Sequence, residues 1–351
     1  MRFYNIEITD PTNPGPKQIY TSWFNGRNDP GALNVVFDFP VVPYSTVRGT
    51  SMLEIWGIPL KSISFATNLN SKNISISAGF KPGLPLATQA SAYQEGPIVS
   101  GFILQAYGNW IGNNMTLNMM VSAGQSPATI RTTTTAQQQV QAANSTGASP
   151  MGSPQSPANF NFNMPVGMNM ETAIRNTLNA ALPNFTRSVN IRDIVASGPR
   201  SFVARSITEF SQKLKQLSQQ IVGGDYRGIE IAPPIGTAIV VYDGRGPTEP
   251  KTINITFNDL IGQPTWIAPF MIQFKCPMRA DLQVGYRITL PKGFFGIQPG
   301  SATRVSEDGY RAQSVQQGTF TINELRHVGN FRQPDANSWC TVVTCVFAKA
   351  P

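Results

Sequence analysis

Residues 252–291 read TINITFNDLIGQPTWIAPFMIQFKCPMRADLQVGYRITLP, and this stretch decides the fold class. Apolar residues alternate with polar ones at 253–257, at 271–274 and at 282–290, which is the period of half-buried β-strands. Glycines and prolines interrupt these runs where turns or bulges are expected: Gly262, Pro264, Pro277, Gly285 and Pro291. A second block, residues 318–347, places two alternating runs around a loop rich in Asn, Pro and Asp. Together the blocks predict a barrel or sandwich of about five or six short strands.

The first 125 residues predict another complete β domain. Strands are expected at 3–8, 33–42, 52–58 and 74–78, with a short helix at 63–69. Residues 98–107 and 115–121 predict a hairpin around residues 108–114. The composition changes over residues 122–165, where the stretch 132–157 contains no acidic side chain and almost no large apolar one. Such a segment cannot offset its ordering entropy by burial, so residues 126–165 are expected to form a linker or exposed loop.

A small α+β domain is predicted over residues 166–250, after one strand at 159–164. Asn169 can cap a first helix that carries Ile174 and Leu178 on one face and stops at Pro183. A second helix begins with the capping-box pattern Ser206-x-x-Glu209 and ends at Gly223. Its narrow apolar stripe is expected to pack against the β domains and consists of Ile207, Phe210, Leu214, Leu217 and Ile221. A hairpin over residues 228–242 completes this domain.

The predicted fold is therefore mainly β (α+β). Two β-barrel-like or sandwich-like domains, residues 1–125 and 251–351, flank the small α+β middle domain of residues 166–250. The 351-residue length allows several domains with a substantial core. Charged residues make up only 13% of the chain, against about 25% in a typical globular domain. So sparse a charge favours a subunit that is buried in an assembly.

The net charge of +8 is spread along the chain and predicts no nucleic-acid site. The basic excess is +2 over residues 1–170, +3 over 171–230 and +3 over 231–351. No cluster of Lys and Arg is interleaved with aromatic residues, as a base-stacking platform would require. The N-terminal MRFYNIEITDP lacks the apolar core of a signal peptide, and no apolar run approaches the ~20 residues of a membrane span. We therefore expect neither export nor stable membrane insertion.

The sequence offers no convincing catalytic, cofactor or metal site. Cys276, Cys340 and Cys345 lack CxxC spacing and are expected to be buried free thiols, with the last two on opposite faces of one strand. His327, which is the one histidine, lies in a predicted strand without an HExxH pattern and is expected to be structural.

The remaining candidates for chemistry are acidic or glycine-rich. Glu307 and Asp308 are adjacent in a loop and make a poor acid–base pair. The glycines at 223–228 lack the GK[ST] of a phosphate-binding loop. A glycosidase-type pair would need carboxylates from separate elements, and nothing in the spacing of Glu54, Glu95 and Asp281 favours it.

The two predicted β domains share a weak internal parallel. In each, a glycine (Gly96 or Gly318) starts a strand, a loop leads towards a tryptophan (Trp110 or Trp339), and a Thr-bearing strand follows. Two similar domains in one chain would let a trimer present six similar domains in a ring, matching a hexameric partner on one side. A chance similarity between two hairpins remains the alternative.

Several segments resemble the baseplate hub proteins of contractile-tailed bacteriophages. They are DLIGQPTW, IQFKCPMRADLQVG, ITLP and RHVGNFR in the C-terminal part, and LEIWGIPL, ISISAGFKPGLPLA and AYGNWIGNNMTL in the N-terminal part. None of these is a catalytic motif. The resemblance implies a non-enzymatic virion protein that joins the tail tube to the central spike and lines the DNA channel. It also implies a homotrimer, assembled in the host cytoplasm, that contacts the tube protein or tube initiator, the spike and other baseplate subunits, with DNA only passing through.

Two other functions stay open at this stage. The first is a tail-associated protein that degrades the bacterial envelope or binds glycans, which peptidoglycan turnover abolished by one carboxylate substitution would support. The second is a single-stranded nucleic-acid-binding β-barrel protein, which would show strongly salt-dependent binding.

Overall fold

The structure is a computed structural model. It describes residues 1–11, 15–46, 49, 51–81, 94–123, 159–183, 185–224, 226–235, 238–268, 271–291 and 319–347. The predicted linker at 126–165 therefore lies mostly outside the described residues.

Strands dominate the described residues. Those of the N-terminal part are β1 (Arg2–Thr9), β2 (Gln18–Thr21), β3 (Trp23–Phe24), β4 (Arg27–Asn28), β5 (Val35–Val41), β6 (Ser51–Trp56), β7 (Asn73–Phe80), β8 (Glu95–Ile111) and β9 (Asn114–Ala123). Those of the middle part are β10 (Phe160–Met164), β11 (Thr186–Asn190), β12 (Arg200–Ala204), β13 (Glu230–Ile235) and β14 (Ala238–Tyr242). Those of the C-terminal part are β15 (Thr252–Asn254), β16 (Thr265–Ala268), β17 (Met271–Pro277), β18 (Arg287–Thr289), β19 (Thr319–Asn330) and β20 (Trp339–Phe347).

The helices are α1 (Leu60–Ser64), α2 (Met170–Ala181) and α3 (Ile207–Val222), with 3-10 helices at Ala66–Leu69, Phe257–Asp259 and Ala336–Ser338. No helix in the described part of the chain is long and apolar enough to cross a bilayer.

One large sheet contains strands from both ends of the chain, so the mainly β prediction is confirmed. Eleven of its thirteen strands follow the order β16-β17-β20-β19-β5-β6-β9-β8-β7-β1-β2, while β18 pairs with β15 and β19. The strands alternate buried and partly exposed positions, as in β5, where Val35, Phe37, Phe39 and Val41 are buried and the residues between them are partly exposed. A single hydrophobic core runs through both parts, from Tyr4 and Ile6 to Val343 and Cys345. The two β parts, which the sequence predicts as separate domains flanking the middle one, are thus hydrogen-bonded into one sheet and share a core.

The middle part has its own core. Phe160, Phe162, Ile174 and Leu178 are buried there with the apolar face of α3. The ring of Phe210 on α3 stacks on Phe160, with 5.3 Å between ring centroids. The predicted helix is confirmed, but its stripe packs against strands of the middle part and not against the large sheet. The reason is local, since β10 and β12 pair directly and present phenylalanines to the helix.

The capping predictions are confirmed with one change in detail. The Asn169 side chain accepts a hydrogen bond from the Glu171 N–H at 2.8 Å and so caps α2. Ser206 Oγ accepts from the Glu209 N–H at 3.1 Å, while the Glu209 carboxylate accepts from the Arg205 N–H and not from Ser206 itself. These bonds satisfy backbone donors that the first turn of a helix leaves unpaired.

Two strand predictions in residues 252–291 are wrong in part. Leu282 and Val284 are buried, but they lie in a loop, and only residues 287–289 of that run form a strand. Phe257 is 51% exposed, because Thr256 and Asp259 cap a 3-10 helix that takes the chain out of the sheet. Alternating hydrophobicity reports burial on one face, and a loop that folds over a core can produce the same pattern.

Candidate functional site

The β8–β9 and β19–β20 hairpins have the same pairing scheme, including the same irregularity. In the first, Ile103 pairs with Val121 and Gln105 with Met120, which leaves Leu104 as an extra residue. In the second, Ile322 pairs with Cys345 and Glu324 with Thr344, which leaves Asn323 as the extra residue. A bulge at the same point of two hairpins fixes a residue-by-residue equivalence between them.

The equivalence extends to the neighbouring strands. In the N-terminal part the order is β5-β6-β9-β8-β7-β1, and in the C-terminal part it is β16-β17-β20-β19-β18-β15. If the six strands of each part are counted in chain order, every position in the two sheet orders holds the strand with the same count. One pair differs in direction, since β1 and β7 are antiparallel while β15 and β18 are parallel. The two ends of the chain are therefore built on the same strand order, well beyond the hairpin parallel seen in the sequence.

The two repeats meet where β19 pairs with β5. The register runs antiparallel from Leu325 opposite Val41 to Asn330 opposite Val36. The guanidinium of Arg326 on β19 binds the carboxylate of Asp38 on β5 through two hydrogen bonds, one of 2.8 Å from Nε to Oδ1. The second half of β19 thus receives an edge strand from the other repeat.

The second half of β8 is equivalent to the second half of β19. Among the described residues it has no strand partner on the edge that faces away from β9. Beyond Phe102, β8 pairs only with β9, although Asn70 Oδ1 accepts the Ala106 N–H at 2.7 Å. Strand β16, the counterpart of β5, pairs only with β17. Large apolar side chains on these two edges are exposed, namely Leu104, Tyr107 and Trp110 on β8 and Ile267 on β16. An unpaired edge with exposed apolar side chains is a template for pairing with another chain.

These edge residues are the functional candidates that the sequence does not reveal. Tyr107 and Trp110 belong to the run AYGNWIGNNMTL, but their exposure depends on which strand lies beside them. Alternation shows which residues face a core and contains no information about strand order. The exposed Trp110 and the buried Trp339 also show that the two tryptophans of the parallel differ in environment.

His327 is enclosed within the sheet, as a structural histidine would be. Its side chain is 1% exposed, and its Nδ1 lies 3.0 Å from Thr341 Oγ1 on the paired strand. Burial lowers the pKa of His327 from 6.5 to about 4. The three cysteines are free and buried, and among the described residues no group of three or more His, Cys, Asp or Glu could hold a metal ion.

The carboxylates considered for acid–base chemistry are not assembled into a pair. Glu95 forms an ion pair with Lys81 at 2.9 Å. Asp281 binds the guanidinium of Arg279 through two hydrogen bonds of 2.9 and 2.8 Å. Glu54 lies on β6, which pairs with β5 and β9. Glu95 lies instead on β8, and Asp281 lies in the loop after β17. Glu307 and Asp308 lie outside the described residues. Glu95 and Asp281 thus have structural partners, and the three described acids lie on separate elements.

Comparison with known proteins gives distant structural similarity alone. No protein-family model matches the chain, and no curated protein matches it. A tail protein from Neisseria meningitidis MC58 aligns over 99% of this chain and 96% of its own, with 9% identity and a TM-score of 0.46. The 43 kDa tail protein of prophage MuSo2 from Shewanella oneidensis aligns over 99% and 97%, with 7% identity and a TM-score of 0.47.

A third similar structure is a Francisella PdpA–VgrG complex. It covers 100% of this chain and 59% of the other, with 9% identity and a TM-score of 0.44. Because these three TM-scores are below 0.5, the similarities carry no argument about function, which must rest on the geometry of the chain itself.

Proposed function

We propose that this protein is a structural subunit of a phage tail baseplate, a hub that forms a homotrimeric ring between the tail tube and the central spike. The observation that carries the proposal is the repeated strand order. In it, the junction of β5 with β19 is formed within the chain, while the equivalent edges of β16 and β8 have no strand partner among the described residues. Within a chain, β5 pairs with the second half of β19. Between chains, β16 would pair with the second half of β8 in the same way. Each chain then contributes two similar units, and three chains make a ring of six.

The register of the proposed contact follows from the repeat. Gln273 on β17 is equivalent to Met52 on β6, because they pair with the equivalent residues Thr344 and Met120. Thr265 pairs with Gln273, just as Asp38 pairs with Met52. Thr265 is therefore the counterpart of Asp38. Asn109 is the counterpart of Val328, which pairs with Asp38. The ring model accordingly places Asn109 of one protomer opposite Thr265 of its neighbour.

Backbone hydrogen bonds and apolar burial would together stabilise this contact. In an antiparallel strand every second residue directs its N–H and C=O to the same edge, so Gly108 and Trp110 share the edge of Ala106. The exposed Tyr107, Trp110 and Ile267 would lose solvent contact, at about 25 cal/mol per Å² of apolar surface. A ring closed in this way leaves no exposed edge at the junctions.

The remaining parts of the proposal concern partners and place. The ring would bind the tube protein or tube initiator on one side and the spike on the other, as part of the virion baseplate assembled in the host cytoplasm. DNA would only pass through its lumen. The role requires no chemistry, and neither an envelope-degrading activity nor single-stranded nucleic-acid binding gains a supporting observation from the described residues.

The mass of the purified protein over a range of concentrations tests the assembly. We expect a species of three 38.2 kDa chains, and we expect Ile267→Lys to remain monomeric because a charge at this exposed apolar position of the edge opposes the addition of a strand. The matched control is Gln18→Lys on the outer strand β2, which should still form the trimer. A wild-type dimer, or a trimer that Ile267→Lys leaves intact, would contradict the proposed contact.

A further inference from the structure

A cleft of about 560 Å³ lies between the middle part and the C-terminal hairpin. One wall consists of the segment before β13 and the end of β14. The other wall consists of β18, the bulged section of β19 and the end of β20. The cleft contains none of the edge residues that the proposed ring would use, so its role is independent of assembly.

Both acidic side chains in the cleft are already engaged. Asp243 accepts hydrogen bonds from the Tyr226 hydroxyl at 2.9 Å and from the backbone N–H groups of Arg192 and Arg245 at 3.1 and 2.8 Å. Glu230 binds Lys215 Nζ and the Ser45 hydroxyl. Among the described residues, neither carboxylate forms an ion pair with the arginine side chains of the cleft.

Three arginines in the cleft lack an ion pair among the described residues: Arg227, Arg245 and Arg287. The Arg245 guanidinium only approaches the ring of Tyr226, at 5.9 Å from the centroid. Arg287 is partly buried, and its Nε is a buried donor without any hydrogen-bond partner. A buried donor left unpaired is destabilising, and Arg287 Nε is one of four such side-chain atoms among the described residues.

We infer that this cleft binds an oxyanion, a carboxylate or phosphate group, through the guanidinium of Arg287 with Arg245 and Arg227 at its rim. The planar guanidinium presents parallel N–H donors that match two oxygens of such a group. Because Arg287 Nε is buried, the terminal NH₂ groups of this side chain are the donors that a ligand would reach. Phe347 and Val346 line the same cleft, are partly exposed and provide apolar contact for the rest of a ligand. The oxyanion can come from an acidic peptide segment of another protein or from free phosphate.

The test measures thermal unfolding of the full chain at low salt with inorganic phosphate, with a triglutamate peptide and with chloride as the reference anion. Phosphate or triglutamate should raise Tm in a saturable way, since a ligand that binds only the folded state stabilises it. Arg287→Gln should weaken the apparent affinity by at least ~10-fold, and Arg245→Gln should weaken it less. Arg27→Gln is the matched control, because Arg27 is an exposed arginine on β4, outside the cleft lining.

A second readout separates binding from a purely structural role. Without ligand, Arg287→Gln should leave Tm unchanged or raise it, because the variant removes an unpaired buried donor. A response to phosphate alone identifies a small-anion site, and a response to triglutamate alone identifies a peptide site; either supports the inference. The absence of any response beyond that to chloride, an equal response in Arg287→Gln, or a marked loss of Tm in unliganded Arg287→Gln would overturn it.

Discussion

Nδ1 of His327 lies 3.0 Å from Oγ1 of Thr341, across the β19–β20 pair in the interior of the protein. The same hydroxyl oxygen accepts the backbone N–H of Arg279 at 3.3 Å. The hydroxyl has one hydrogen to donate and a second lone pair, so it can pair with His327 Nδ1 as donor or as acceptor. Burial of the pair is what favours the neutral imidazole.

This relationship predicts acid sensitivity. The pKa of His327 falls from 6.5 to about 4 on folding, so the unfolded chain binds a proton at pH values where the folded chain does not. The free energy of unfolding should decrease as pH falls from 6.5 towards 4, by roughly 3 kcal/mol in total from this group. Urea unfolding from pH 7 to 5 measures it, and His327→Asn should have a flatter profile than the wild type. An unchanged slope in that variant would contradict the assignment.

Arg2 should be a major link between the first strand and the C-terminal hairpin. Its guanidinium donates to carbonyls and a hydroxyl in the loop before β20: Asn330 O, Phe331 O, Gln333 O, Asp335 O and Ser338 Oγ. Arg2→Lys keeps the charge but cannot reproduce this fan of donors, so we expect a loss of about 2 kcal/mol in unfolding free energy. Arg27→Lys is the control and should be neutral. Equal stability of the two variants would show that the loop holds without Arg2.

Gly329 should tolerate no side chain. A Cβ at this position would lie 2.3 Å from the ring of Phe37 on the paired strand β5. Gly329→Ala must displace that ring, which also packs against Trp339, and should destabilise the protein by about 1–3 kcal/mol. Chemical denaturation measures the effect. Gly198→Ala, where the Cβ meets open space, should change little, and similar losses in both variants would contradict the packing argument.

Asp281 should be important for stability and not for any reaction. Arg279 is 8% exposed and shares two hydrogen bonds with this carboxylate. Asp281→Asn removes the two hydrogen bonds to a carboxylate and leaves the buried guanidinium with the more distant Asp259, at 3.5 Å, as its acidic partner, which should cost about 3 kcal/mol. The double variant Arg279→Met/Asp281→Leu should recover much of that loss, as thermal unfolding would show. If instead Asp281→Asn is as stable as wild type but abolishes turnover of peptidoglycan, the catalytic alternative gains the support it now lacks.

The sequence predicts the elements of this fold better than their arrangement. Strand alternation identifies β5, β7 and β17, and capping residues place both long helices, because these signals are local. The pairing of β19 with β5 joins residues about 290 positions apart, and no local pattern specifies it. The exposed edge of β8 is hidden for the same reason, since Tyr107 and Trp110 are core-like residues by type. The arginines of the cleft come from three separate segments and carry no motif.

Disulfide trapping tests the ring contact most directly, because the native cysteines are buried and only introduced thiols should react. The double variant Asn109→Cys/Thr265→Cys should form, under mild oxidation, a reducible covalent species of three chains, since facing residues of paired strands lie within disulfide range. The control Asn109→Cys/Gln18→Cys places the second thiol on the outer strand β2 and should stay unlinked. Efficient linking of that control, or monomers alone from the Asn109/Thr265 pair, would contradict a ring in which β8 receives β16.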